Sequence, residues 1–203
     1  EAFTKNADGT LTLSQKYFTL KQPVRQPQSA FVIKDFKTGE LLGMVGGRNI
    51  EGKLLYNRAT SARQPGSSIK PLAIYSVALQ KGVEMGGTFT AAMPIDDVPI
   101  NYGEALWPSN WYVGYKGVQN FRRAVEQSIN ACAVQLYTKM DDPGKSIEFL
   151  QGMGISTLVT DGEINDVNAS ALALGGMTKG ISPIEMCGAY GTIGNYGTYV
   201  ETI

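Results

Sequence analysis

Arg63-Gln64-Pro65-Gly66-Ser67-Ser68-Ile69-Lys70-Pro71 sets a serine hydroxyl and a lysine amine three residues apart, after a Pro-Gly turn and before an apolar helical run. Residues at that spacing share a helix face. Pro71 fits a helix only in its first turn, where a missing N–H costs little, so the helix is expected to start at Ser67 or Ser68. Leu72, Tyr75, Ala78 and Leu79 form its apolar face, and Lys81-Gly82 predicts its end. Ser67 and Lys70 are thereby placed at a helix N-terminus, a candidate nucleophile beside a candidate base.

Composition narrows what such a pair can be. There is no histidine among the 203 residues. A Ser-His-Asp or Cys-His site is therefore impossible, and a serine nucleophile must be activated by Lys, Tyr or a carboxylate. The same absence, with only Cys132 and Cys187 as thiols, argues against a zinc site of the usual N/S type. Both cysteines lie in apolar helical contexts and read as free thiols. The 18 basic and 18 acidic residues cancel, which removes electrostatic support for nucleic-acid binding. No apolar run approaches the roughly 18 residues of a membrane helix, so the chain is expected to be soluble or to have its anchor elsewhere.

Outward from Ser67, residues 1–28 read as a polar lead-in and linker, with Asp8-Gly9 as a hairpin turn and two prolines in Gln22–Gln28. The domain is expected over 29–203. Ala30–Ile33 and Leu41–Val45 are apolar runs joined by a hairpin turn at Gly39. Met85–Gly117 shows little periodicity and carries Trp107, Trp111, Tyr112 and Tyr115, which either line a cleft or pack in the core. Helices are predicted from Asn120 to Gln127 (Phe121, Ala124 and Val125 inward), over Ala131–Met140, Ile147–Gln151 and Ala169–Leu174, and from Ser182 to Gly194. The last has serine at the N-cap, Pro183 at the first position and Glu185 at the third. Thr198-Tyr199-Val200 predicts a further strand.

Ser128-Ile129-Asn130 is the one Ser-x-Asn in the chain, 61 positions after Ser67 (128 minus 67). Alone it reads as a helix-interrupting cap, and Ser67 to Lys70 alone as a capping serine with a solvated lysine. Together they match the Ser-x-x-Lys and Ser-x-Asn pair of penicillin-binding proteins and β-lactamases. The likeness is wider than the motifs. Arg63–Pro71, Trp107-Pro108-Ser109-Asn110-Trp111, Gly117 to Leu136 and Gly175 to Gly197 resemble the transpeptidase domain of class A (bifunctional) penicillin-binding proteins, and the Ala30–Arg48 hairpin resembles its opening strand pair.

That resemblance implies an α+β fold, an antiparallel sheet flanked by helices, of the serine β-lactamase/D,D-peptidase type. It implies a peptidoglycan D,D-transpeptidase in which Ser67 attacks a stem peptide ending in D-Ala-D-Ala and an amine of a neighbouring stem resolves the acyl-enzyme. Lys70 takes the proton, Ser128 relays it, and Asn130 binds the substrate backbone, with Trp107 and Asn110 as further binding residues. At a reference pKa near 10.4, a neutral lysine at pH 7 costs about 4.6 kcal/mol, within reach of burial. No cofactor or metal is implied. The partners implied are stem peptides and β-lactams, no nucleic acid, and a membrane only through an anchor outside the chain, on the cell-wall side.

One departure stands out. The family's Lys-Thr/Ser-Gly strand follows the Ser-x-Asn, whereas Lys37-Thr38-Gly39 precedes Ser67 in a hairpin turn, and Thr178-Lys179-Gly180 has the wrong order. The third motif is thus expected beyond Ile203. The fold would then be incomplete at its C-terminus, a remaining piece of the same domain would be a partner, and the chain alone would react poorly with penicillin. A serine β-lactamase is the rival within enzymes. Against it, Glu163 has Val167 rather than Asn four residues on, and Ile129 stands where class A lactamases have Asp. A non-catalytic β-lactam sensor or wall-binding module is the other alternative.

Overall fold

The computed structural model of the chain describes residues 2–17, 27–49, 55–102 and 105–203. The linker expected at Gln22–Gln28 lies, up to residue 26, outside them. At the Asp8-Gly9 turn, β1 (Phe3–Lys5) and β2 (Leu11–Leu13) pair antiparallel, with Gly9 at φ +85°. Both strands are exposed throughout, so this hairpin adds nothing to the core. The second hairpin, β3 (Phe31–Lys34) and β4 (Leu41–Val45), also falls where the apolar runs placed it. Gly39 sits at its turn with φ +87°, a conformation that glycine adopts without penalty.

The segment after Gly66 is helical throughout but not uniform. A 3₁₀ turn covers Gly66–Ile69, a π-helical turn covers Pro71–Tyr75, and α1 runs over Ser76–Glu84. Pro71 has no N–H to give, and the Ser76 N–H reaches back five residues to its carbonyl. Leu72, Ala73, Ile74, Val77 and Ala78 are fully buried and form the centre of the core. Two expectations fail here. Leu79 is exposed, and Gly82 does not end the helix, which continues to Glu84. Gly82 is there for space: a Cβ would lie 2.0 Å from the Phe89 carbonyl oxygen.

Met85–Gly117 contains structure that periodicity did not show. β5 (Pro94–Asp97), β6 (Ile100–Tyr102) and β7 (Ala105–Trp107) are followed by β8 (Gly117–Asn120), with β5 paired to β8 and β6 to β7. Strands of three or four residues hold too few alternations to read. Ile95 and Asp97, two apart in β5 and so on one face, are both fully buried.

Asn120 caps α2 (Phe121–Glu126), accepting from the Arg123 N–H at 2.7 Å. Phe121 and Ala124 point inward as expected, whereas Val125 is exposed. After Ser128 comes α3 (Asn130–Met140), packed against β5. The next helix, α4 (Pro143–Gly152), starts earlier than its apolar residues suggested, because the Asp142 carboxylate caps the Lys145 N–H and Pro143 takes the first position. The short α5 (Ala169–Leu172) precedes α6 (Pro183–Gly194), which has the full reciprocal capping box between Ser182 and Glu185.

The class is α+β, but its strands do not form one sheet. Among the described residues there are four two-stranded antiparallel sheets. The β3–β4 hairpin rests on α6, where Phe36 packs beside Gly191 and Gly194. Thr198–Val200, expected to open a strand, forms no ladder. The chain instead returns to the Gly39 turn, where Ile203 exchanges backbone hydrogen bonds with Gly39 and Leu41 at 3.0 Å. Cys132 is buried and Cys187 half-buried, both free thiols as read from the sequence.

Candidate active site

Ser67 sits in the 3₁₀ turn at the head of the central helical segment and is exposed. Its turn is held from behind by residues 175–181. Arg63 and Ile181 exchange two backbone hydrogen bonds of 3.0 and 2.8 Å, and the Gln64 amide donates to the Met177 carbonyl. The approach is tight: a Cβ on Gly175 would lie 2.1 Å from the Gly66 carbonyl oxygen, and one on Gly180 2.3 Å from the Arg63 backbone. Buried Asp166 fixes this strap by accepting from the N–H groups of Val159 (2.8 Å) and Thr178 (2.7 Å). From α6, the Tyr190 hydroxyl donates to the Ser68 carbonyl at 2.6 Å.

Lys70, three residues on, is 1% exposed. A lysine buried to that degree needs partners for its nitrogen. Nζ has them at the Ser128 carbonyl (2.8 Å), the Ser128 hydroxyl (3.3 Å) and the Asn130 side-chain oxygen (2.5 Å). Burial lowers its pKa from the ordinary 10.5 to about 8. The three contacts suit either protonation state. An ammonium donates to all of them. A neutral amine donates to the carbonyl and amide oxygens, which only accept, and accepts a hydrogen bond from the hydroxyl, which can do both.

Ser128 reaches Lys70 because of how α2 ends. The Ser128 N–H bonds to the Val125 carbonyl and the Ile129 N–H to the Ala124 carbonyl, both at 3.0 Å, which is the Schellman pattern. That pattern puts its turning residue in the left-handed region, and Ser128 has φ +50°. Glycine is the usual occupant, and a serine there costs about 1–2 kcal/mol. Such a cost points to a use for the hydroxyl. Asn130 then opens α3, its Nδ2 donating to the Ser109 carbonyl at 2.8 Å while its oxygen faces Lys70.

The structure thus brings Lys70, Ser128 and Asn130 together across separations of 58 and 60 residues. Trp107 lines a cavity of about 440 Å³ with Asn168, Ala169 and Ser170, a lining that does not include Lys70, Ser128 or Asn130. Asn110, expected to bind substrate, has its amide engaged within the protein. Its oxygen accepts from the N–H groups of Asn130 (3.0 Å) and Ala131 (3.2 Å), and its nitrogen donates to Asp97 at 2.7 Å. Of the aromatic cluster, Trp107, Tyr112 and Tyr115 pack against the core, whereas Trp111 is exposed and its indole N–H holds the Gln127 carbonyl. Sequence reasoning missed Asp97 and Tyr190. No motif marks Asp97 in the sequence, and only β5 pairing turns it inward. Lys37-Thr38-Gly39 lies in a turn, its Lys37 and Thr38 N–H groups bonded to the Asp35 carboxylate. Among the described residues no cluster of His, Cys, Asp or Glu could hold a metal ion.

An α+β chain whose helix-start serine is followed three residues on by a buried lysine bonded to a Ser-x-Asn turn has the architecture of the penicillin-recognising acyltransferases. The sequence profile described as "Penicillin binding protein transpeptidase domain" matches residues 29–202, and the chain belongs to that family. Penicillin-binding protein 1A of Clostridium botulinum (strain Langeland) is 37% identical over 186 residues, covering 86% of this chain and 21% of the relative. Penicillin-binding protein 1F of Bacillus subtilis is 37% identical over 166 residues, 81% of this chain and 21% of the relative. The chain therefore spans about a fifth of the length of these relatives. Among solved structures, penicillin-binding protein 1A of Haemophilus influenzae superposes over 99% of this chain and 27% of its own, with a TM-score of 0.71 and 27% identity.

Proposed function

We propose that this chain is the front portion, residues 29–203, of a peptidoglycan D,D-transpeptidase domain, preceded by a lead-in at 1–28. In this reading neutral Lys70 takes the Ser67 proton as Ser67 attacks the penultimate D-Ala carbonyl of a stem peptide. The tetrahedral oxyanion forms beside the Ser67 N–H at the helix start, where backbone donors are concentrated. The proton then passes from the Lys70 ammonium through the Ser128 hydroxyl to the leaving D-Ala amine. An acceptor amine of a neighbouring stem reverses these steps and completes the cross-link. β-Lactams acylate the same serine. Asn130 retains a second amide N–H for the substrate backbone, and Trp107 is assigned to substrate binding.

The observation that carries the reading is the Lys70 amine, buried yet hydrogen-bonded to both Ser128 and Asn130. A lysine that merely closed a surface would remain solvated and fully charged. The Lys-Thr/Ser-Gly strand is assigned to sequence following Ile203, and the site to the cell-wall face of the membrane. No described helix is long and apolar enough to cross a membrane.

The test is covalent labelling of the intact protein with a fluorescent penicillin, followed by peptide mass spectrometry. A stable adduct on Ser67 that disappears in Ser67→Ala is the expected result. Labelling that survives Ser67→Ala refutes the assignment of the nucleophile. Rapid release of hydrolysed penicillin supports the lactamase alternative.

A further inference from the structure

Asp97 is fully buried, and among the described residues no salt bridge includes it. An isolated buried charge is tolerated only when hydrogen-bond donors replace its water. Asp97 has three of them. One oxygen accepts from Asn110 Nδ2 at 2.7 Å, and the other from the Tyr112 hydroxyl and the Lys116 N–H (2.8 Å). Burial and the facing Asp97 carboxylate push the Tyr112 phenol up, which keeps it protonated and donating.

A carboxylate can only accept, so it settles which way round the Asn110 amide lies. Nδ2 must face Asp97, and the oxygen must face the opposite way. That oxygen meets the N–H groups of Asn130 and Ala131. These are the first two residues of α3, and the residue preceding them, Ile129, supplies no side-chain cap. Asn110 is thus a cap delivered from another loop. The residue it pins, Asn130, is the one whose side chain contacts Lys70 at 2.5 Å.

We infer that Asp97 is a positioning residue of the reactive site: through the Asn110 amide it sets the start of α3 and so holds the Asn130 oxygen on Lys70. This rests on the reading of Ser67 and Lys70 as nucleophile and base. The relay has a polarity, carboxylate to amide to helix N–H. In Asp97→Asn the oxygen facing Tyr112 and Lys116 stays an acceptor, which turns the new NH₂ against the Asn110 NH₂. In Asn110→Asp two carboxylates face each other. The double variant Asp97→Asn/Asn110→Asp restores complementarity, because Asn at 97 then donates to Asp at 110, whose other oxygen caps α3.

The experiment measures penicillin acylation of Ser67 in the intact protein, resolving the first-order constant at saturation from the half-saturation concentration, with Tm recorded for each variant. Each single variant is expected to lower the first-order constant on the order of tenfold to a hundredfold, the effect of an unpaired buried polar group. The half-saturation concentration should change far less, and the double variant should recover most of the rate. If a single variant does not fold, Asn110→Ala, which creates no facing like groups, is expected to show the same loss. The inference is overturned if the labelled fraction and Tm fall while the rate constant of the surviving protein is unchanged, or if the double variant is no faster than the slower single one. A wild-type protein without a Ser67 adduct overturns the nucleophile reading itself, a distinct result.

Discussion

Acylation of Ser67 should follow the deprotonation of Lys70. With the Lys70 pKa at about 8 instead of 10.5, the neutral amine is about 9% of the protein at pH 7 and about 1% at pH 6. An ordinary solvated lysine would offer roughly 300-fold less at pH 7. The sign is fixed by the role: the base must be neutral, so the rate rises with pH below about 8 and levels off above it. Between pH 6 and 7 the second-order rate constant for a penicillin should increase roughly ninefold, and from pH 9 to 10 it should barely move. Stopped-flow fluorescence of labelling, with protein integrity checked by circular dichroism at each pH, supplies the profile. A flat line from pH 6 to 9, or a break still climbing past pH 10, refutes Lys70 as the base that burial prepares. The same shift adds a stability signature. The unfolded chain holds the lysine proton up to 10.5 and the folded one only to about 8, so this group makes stability rise with pH through that window.

Two further substitutions test the packing that positions the site. Gly82→Ala improves helix propensity by about 1 kcal/mol, yet its Cβ would meet the Phe89 carbonyl oxygen at 2.0 Å. Overpacking of that kind costs about 1–3 kcal/mol, so thermal unfolding should show a net loss, and a raised Tm would refute the account of this glycine. Gly175→Ala adds a methyl 2.1 Å from the Gly66 carbonyl oxygen at a φ of +79°. It should displace the Ser67 turn and slow acylation by tenfold or more, given the roughly hundredfold effect of a 1 Å misplacement; an unchanged rate would show that residues 175–181 do not support the nucleophile.

Much of the fold was legible where short-range chemistry decides the conformation. The hairpins at Gly9 and Gly39, the Asn120 cap of α2 and the Ser182–Glu185 capping box all follow from neighbours within a few residues. Legibility failed where one residue answers to a distant one. Gly82 looked like a stop because local rules see only its flexibility, whereas its neighbour in space is Phe89. β5 to β8 were hidden because strands this short draw their definition from partners, Pro94 opposite Asn120 and Asp97 opposite Gly117. Asn110 was legible as part of a motif but not as a cap, since its two N–H partners lie 20 and 21 residues away.

The candidate site divides along the same line. The absence of histidine, the three-residue spacing of Ser67 and Lys70 and the restriction at Pro71 together single out this pair as candidates on one helix face, because composition and local geometry are properties of the chain itself. Whether that lysine can lose its proton is not such a property. It depends on a tertiary arrangement that excludes water from Nζ and supplies Ser128 and Asn130 from beyond α2, with Asp97 behind them. Desolvation and the hydrogen bonds that offset it act through space, so only the folded structure decides the chemistry of Lys70.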